Sequence, residues 1–116
     1  MDIEFFRNYC INKEGVTEGF PFNNDALVFK VLGKMFVLTS IKSWEANAPS
    51  FNLKCDPDYA QELRATYTSI MPGYHMNKKH WNTIKIINNE LSTALLLKLI
   101  DHSYNLVVAG KLNKPK

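Results

Sequence analysis

The stretch Leu27-Val28-Phe29-Lys30-Val31-Leu32-Gly33-Lys34-Met35-Phe36-Val37-Leu38-Thr39 decides the fold. Leu27, Phe29 and Val31 alternate with Val28, Lys30 and Leu32, the period-two pattern of a strand, and Met35 to Thr39 returns as a second apolar strand. Gly33-Lys34 between them reads as a turn of the Gly-x type, so the segment predicts a β-hairpin and with it an antiparallel sheet. A third strand is expected at Phe51 to Cys55, after a loop that contains Pro49.

Toward the N-terminus, Phe20-Pro21-Phe22 and Asn23-Asn24-Asp25 read as an extended lead-in and a turn. Before them, Asp2 caps a first helix with Glu4 in its first turn; Ile3, Phe6 and Cys10 recur at helical spacing, and Gly15 stops it. In the other direction, Asp56 at the N-cap, Pro57 at the first helical position and Asp58 in the first turn start a second helix. Its Ala60, Leu63, Tyr67 and Ile70 share one face, and Pro72-Gly73 breaks it. Tyr74 to Met76 and Trp81 to Ile87 are expected as two short strands around the corner Asn77-Lys78-Lys79-His80, and Asn88-Asn89 makes a further turn. Ser92 caps the last helix, Leu91 and Leu96 stand at hydrophobic-staple positions, and the stripe Leu96, Ile100, Ser103, Val107 runs to Gly110, which ends it. The order α-β(3)-α-β(2)-α predicts an α+β, two-layer fold, an antiparallel sheet with helices on one face.

The chain has 116 residues, enough for one hydrophobic core, and residues 1–116 are expected to form a single domain. A hydrophobic fraction of 46% and a charged fraction of 22% exclude a disordered, collagen-like or coiled-coil chain. The most apolar stretch, Ala94 to Ile100, is broken by Lys98 and is too short to span a bilayer, so no membrane association is expected. Asp2 and Glu4 stand where a secretory signal is basic, which makes the cytoplasm the expected compartment. Cys10 and Cys55 have no Cys-x-x-Cys spacing; neither a disulfide framework nor a zinc knuckle is indicated, and both read as buried hydrophobes.

Charge is unevenly distributed. Lys and Arg number 14 against 11 Asp and Glu, for a net charge of +3. From Leu63 to Asn89 there is no acid, while Arg64, Lys78, Lys79 and Lys85 supply positive charge and His75 and His80 add to it at lower pH. Lys111, Lys114 and Lys116 make a basic C-terminal tail, and the remainder of the chain is net acidic. Such polarity creates a local attractive potential for a polyanion.

Pro72 to Asn82 combines fixed charge, imidazoles, an amide corner and aromatics on one turn. A nucleic-acid interface needs that mixture: Lys at phosphates, Asn or His at base edges, aromatics as wedge or platform. The same residues also describe an ordinary exposed hairpin with Tyr74 and Trp81 on its apolar side. His75 and His80 lack the third and fourth ligands of a metal site, so no metal or cofactor is expected. Cys55 precedes a helix start, where a thiol pKa is lowered, but no His is placed to serve as its base. The carboxylates either start helices or stand unpaired, and no glycine-rich loop opens a helix, so the chain is not expected to be an enzyme. The sheet face left bare by the helices, with Lys30, Lys42 and Lys54 and nearby aromatics, keeps a protein-interaction module open as an alternative.

Several motifs then match in order: Gly15-Val16-Thr17-Glu18 with Phe20-Pro21-Phe22, Val28-Phe29-Lys30-Val31 with Gly33-Lys34-Met35-Phe36, Leu53-Lys54-Cys55-Asp56-Pro57, Leu63-Arg64, Pro72 to Thr83, and Ser103-Tyr104-Asn105-Leu106-Val107. On these residues the chain resembles the MmcQ/YjbR family of small bacterial proteins over nearly its whole length; the segment from Lys42 to Ser50 matches none of the motifs. The resemblance implies a CyaY-like two-layer fold and a DNA-binding role through a double-wing arrangement. Carried onto this chain, it implies Lys78, Lys79 and His80 as wing-tip contacts with His75 beside them, Asn77 and Asn82 fixing the turn or donating to backbone oxygens, and Lys34 on the other wing. Arg64 is a further candidate contact, or else a hydrogen-bond partner of Gln61 one turn earlier on its helix. With no basic helix to read bases, binding is expected to be phosphate-directed and weakly sequence-selective. The alternative is a polypeptide-binding adaptor of frataxin-like or secretion-chaperone-like shape. No coiled-coil or other pairing signal is present, and a monomer is the expectation.

Overall fold

The structure, a computed structural model, describes residues 1–112. Its elements run α1 (Ile3–Ile11), β1 (Val16–Gly19), β2 (Ala26–Val31), β3 (Lys34–Ser40), α2 (Ile41–Glu45), β4 (Ser50–Lys54), α3 (Pro57–Thr66), β5 (Ile70–Pro72), β6 (Trp81–Lys85) and α4 (Thr93–Leu112). The strands form one antiparallel sheet in the order β1-β2-β3-β4-β6-β5. The α+β class and the antiparallel sheet stand as expected.

The helix starts follow the capping chemistry. Asp2 Oδ1 accepts from the Phe5 amide at 2.8 Å, Asp56 Oδ2 from the Asp58 and Tyr59 amides at 3.1 Å, and Ser92 Oγ from the Leu95 amide at 3.0 Å, each satisfying first-turn donors that the helix leaves free. One face of the sheet meets the helices. Leu27, Phe29 and Val31 of β2, Phe51 and Leu53 of β4 and Ile84 of β6 are buried there with Phe6 and Cys10 of α1, Leu63 of α3 and Leu96, Ile100 and Val107 of α4. Phe6 is the hub of an aromatic cluster, with ring centroids 4.7 Å from Phe51, 5.1 Å from Trp44 and 6.2 Å, edge on, from Phe29.

A β-bulge shapes the centre of the sheet. Phe29 pairs with Val37 but Lys30 pairs with Met35, so Phe36 is the extra residue, and both Phe36 and Val37 enter the core. The bulge leaves ladder groups without partners, and Ser103 of α4 takes them up: its hydroxyl accepts from the Lys54 amide at 2.9 Å and donates to the Phe36 carbonyl at 2.6 Å. Ser103, which the sequence places on an apolar stripe, is therefore a polar bolt between helix and sheet.

Several local expectations are corrected. The hairpin turn is Leu32-Gly33, not Gly33-Lys34: both residues have positive φ, 52° and 76°, which makes it a type I′ turn. Val16–Gly19 is an edge strand paired with β2, although its four residues are too few for a visible period. Ile41–Glu45, in the segment that matches no motif, is a short helix capped by Ser40 that buries Trp44, whose indole donates to Thr39 Oγ1 at 2.8 Å. Ile70 is buried as a strand residue opposite Ile84, because α3 ends at Thr66 and Tyr67 is already extended. Pro72 is tolerated because β5 is an edge strand, and Tyr74 to Met76 form turns in place of the expected strand. Strand β6 ends at Lys85, two residues before Ile87, and α4 continues through Gly110 to Leu112. Lys114 and Lys116 of the basic tail lie outside the described residues.

Candidate nucleic-acid interface

The segment between β5 and β6 is a loop braced from inside. Gly73 donates its amide to the Trp81 carbonyl at 2.9 Å, and a Cβ at this position would stand 2.9 Å from the Cβ atoms of both Met76 and Trp81, so only glycine fits. Asn77 closes the turn: its side-chain oxygen accepts from the Lys79 amide at 3.0 Å and its carbonyl from the amides of His80 and Trp81 at 3.2 and 2.9 Å. Arg64, reaching up from α3, donates through Nε to Asn82 Oδ1 at 2.6 Å and through Nη2 to the carbonyls of Trp81, at 3.1 Å, and Lys78. Its partner is thus the loop and not Gln61. Asn82 is 1% exposed, so it braces the loop from below and has no surface to offer a ligand.

What this bracing presents outward is charge. Lys78 and Lys79 are exposed and His80 is half-buried, with Lys78 Nζ donating to the Gly73 carbonyl at 2.9 Å. The other expected wing meets the same end of the molecule. Val37 pairs with Leu53, and Lys54 with Trp81, so the start of β3, the end of β4 and the start of β6 lie at one end of the sheet. There Lys34, Lys54 and Lys111 line a groove of about 380 Å³ together with Met35, Trp81 and Val107, and no acidic side chain lines it. Asp56 begins α3 nearby with its carboxylate turned onto backbone amides. Lys54 and Lys111 carry no local signal as a pair, because they are far apart in the chain; Lys54 stands alone among neutral and acidic neighbours, and Lys111 opens the basic tail.

His75 belongs elsewhere. It is exposed, holds a left-handed backbone with φ of 58°, and lies against Tyr74 with ring centroids 4.0 Å apart. Both line a groove of about 510 Å³ on the helix-free face of the sheet, across from Phe22 and over Met35, Leu38 and Asn52.

Both thiols are free and buried. Burial first, then Asp56, pushes the Cys55 thiol up to about 11, against the lowering that its position before a helix suggests; burial pushes Cys10 up to about 12. Among the described residues no three His, Cys, Asp or Glu side chains are grouped to hold a metal ion, and no helix is long and apolar enough to cross a membrane. One titratable residue has no signal in the sequence. His102 Nε2 accepts from the Asp56 amide at 3.2 Å and its ring meets Tyr59 edge on at 5.2 Å; burial lowers its pKa.

The YjbR family model matches residues 11–106, a span that contains every strand and the bracing contacts above. The chain belongs to the YjbR family. Within that family it is similar to the uncharacterised protein YbdF of Escherichia coli O157:H7, 47% identical over 90 residues that cover 78% of this chain and 70% of the relative. It is 31% identical to the uncharacterised protein YjbR of Escherichia coli strain K12 over 108 residues, 93% of this chain and 88% of that one. Among solved structures, it resembles the crystal structure of Deinococcus radiodurans protein DR2400, of the DUF419 domain family, with a TM-score of 0.85 and 37% identity, over 97% of this chain and 83% of that chain. A Pseudomonas syringae protein superposes with a TM-score of 0.75 at 27% identity, over 91% and 98% of the two chains.

Proposed function

We propose that this YjbR-family protein binds duplex DNA through the lysine-bearing end of its sheet, holding phosphates with little selection among base sequences. The observation that carries the reading is the gathering of Lys34, Lys54 and Lys111 in one acid-free groove beside Trp81, at the end where Lys78 and Lys79 project from a braced turn. Fixed ammonium groups on rigid backbone attract a polyanion from a distance and release its counterions on binding. The burial of Asn82, held by the Arg64 guanidinium, fits a backbone-directed mode, because that side-chain amide has no free edge to offer a base. Lys78 and Lys79 take phosphates in this reading, Lys34 and Lys54 extend the contact, and His80 stands beside them on the same turn.

Fluorescence anisotropy of a labelled duplex, titrated at several salt concentrations, tests it. Wild-type affinity falls as salt rises, and Lys78→Ala/Lys79→Ala lowers the log-log slope by about 2, one for each phosphate that no longer meets an ammonium group. An unchanged slope, or no binding at low salt, removes the proposal.

A further inference from the structure

Besides the lysine end, the helix-free face carries a groove with the dimensions and lining of a small-ligand site. Its floor is the sheet itself, Leu38 and Met35 of β3 beside Asn52 of β4 and Thr83 of β6, and two exposed rings stand at its walls, Phe22 at 67% and Tyr74 at 68% exposure. Exposed aromatics are costly to leave in water, and here they flank one cleft from two separate loops. The Tyr74 wall is held in place: its amide donates to Thr83 Oγ1 at 2.9 Å, Thr83 donates in turn to Asn52 Oδ1, and the neighbouring His75 keeps a left-handed backbone. That last hydrogen bond occupies the Asn52 side-chain oxygen, and Asn52 itself lines the groove. Met35 lines this groove and also the lysine groove, so the two adjoin.

An aromatic-walled slot that holds the Asn52 amide and adjoins an acid-free lysine cluster, its own carboxylate Asp25 already accepting from the Ser40 hydroxyl and the Lys42 amide, matches one chemistry on both sides: a planar, hydrogen-bonding base attached to a phosphate. We infer that the helix-free face binds an unpaired nucleotide of single-stranded nucleic acid, its base between Phe22 and Tyr74 and its phosphates running toward Lys54 and Lys34. The inference rests on the nucleic-acid reading above and extends it to a second kind of strand. A duplex cannot use this groove without unstacking a base, whereas an unpaired strand offers its π-faces at no such cost.

The experiment compares a short labelled single strand with the same strand annealed to its complement, against wild type, Phe22→Ala/Tyr74→Ala and Tyr74→Phe. Both rings are exposed, so the double variant keeps its fold, which circular dichroism checks. The double variant binds the single strand about tenfold more weakly or worse with duplex affinity unchanged, and Tyr74→Phe binds as wild type because stacking needs the ring and not the hydroxyl. Equal affinity of the double variant and wild type for the single strand overturns the inference, while salt-dependent duplex binding whose log-log slope falls in Lys78→Ala/Lys79→Ala leaves the duplex reading standing. Absence of binding to either form removes both. Displacement of the strand by adenosine monophosphate at comparable concentration assigns the groove to free nucleotides and overturns the assignment to a strand.

Discussion

At the scale of single residues, the motifs that mark the family do different work from what their chemistry suggests in a linear reading. Ser103 looks like a small residue on an apolar stripe, yet its hydroxyl joins the Lys54 amide to the Phe36 carbonyl across the bulge. Ser103→Ala leaves a buried donor and a buried acceptor without partners, and urea unfolding is expected to register a loss of about 1–3 kcal/mol. A loss near zero would mean that water or backbone movement replaces the hydroxyl. Arg64 and Asn82, whose chemistry suits a ligand, serve as internal braces, because a guanidinium with five donors finds carbonyls in a tight turn that a chain-local reading cannot see. Lys78 and Lys79 stand out by local composition and remain at the surface, whereas Lys54 and Lys111 join them only through strand pairing and the path of α4.

At the scale of elements, the contact of the middle of α4 with the start of α3 is set by the protonation state of one group. His102 of α4 accepts from the Asp56 amide at the start of α3, with Tyr59 against its ring, so the contact requires the neutral imidazole. Burial lowers the folded pKa below the ordinary value of 6.5, although the nearby Asp56 carboxylate opposes this. The unfolded chain therefore binds the proton more readily, and the stability that the neutral form contributes is present above 6.5 and falls away as pH drops through it. Thermal melts between about pH 7.5 and 5.5 are expected to show a falling midpoint, with a shallower fall in His102→Gln; equal slopes would remove His102 from the account. Strong local signals make β2, β3, α1, α3 and α4 legible: alternation over the hairpin, and Asp2, Asp56 and Ser92 as caps. The elements that the sequence leaves unmarked have weak local signals and owe their structure to partners. Strand β1 and strand β5 are short edges held by β2 and β6, and α2 exists because Trp44 is drawn into the aromatic cluster around Phe6.

For the whole molecule, the sheet separates two surfaces of opposite character. The helix side is a closed apolar core, and the other side and one end keep grooves, exposed rings and lysines. The duplex reading and the single-strand inference divide along the same line. Variants at Lys78 and Lys79 change the salt slope for duplex, and variants at Phe22 and Tyr74 change single-strand affinity alone. The central claim is that the lysine-bearing end meets phosphate, and amide chemical-shift mapping of isotope-labelled protein titrated with a duplex at low salt tests it most directly. The account predicts that shifts concentrate at Leu32 to Met35, Lys54, Lys78 to Trp81 and the last turn of α4. Shifts confined to α1, or none at all with duplex in excess, would contradict it.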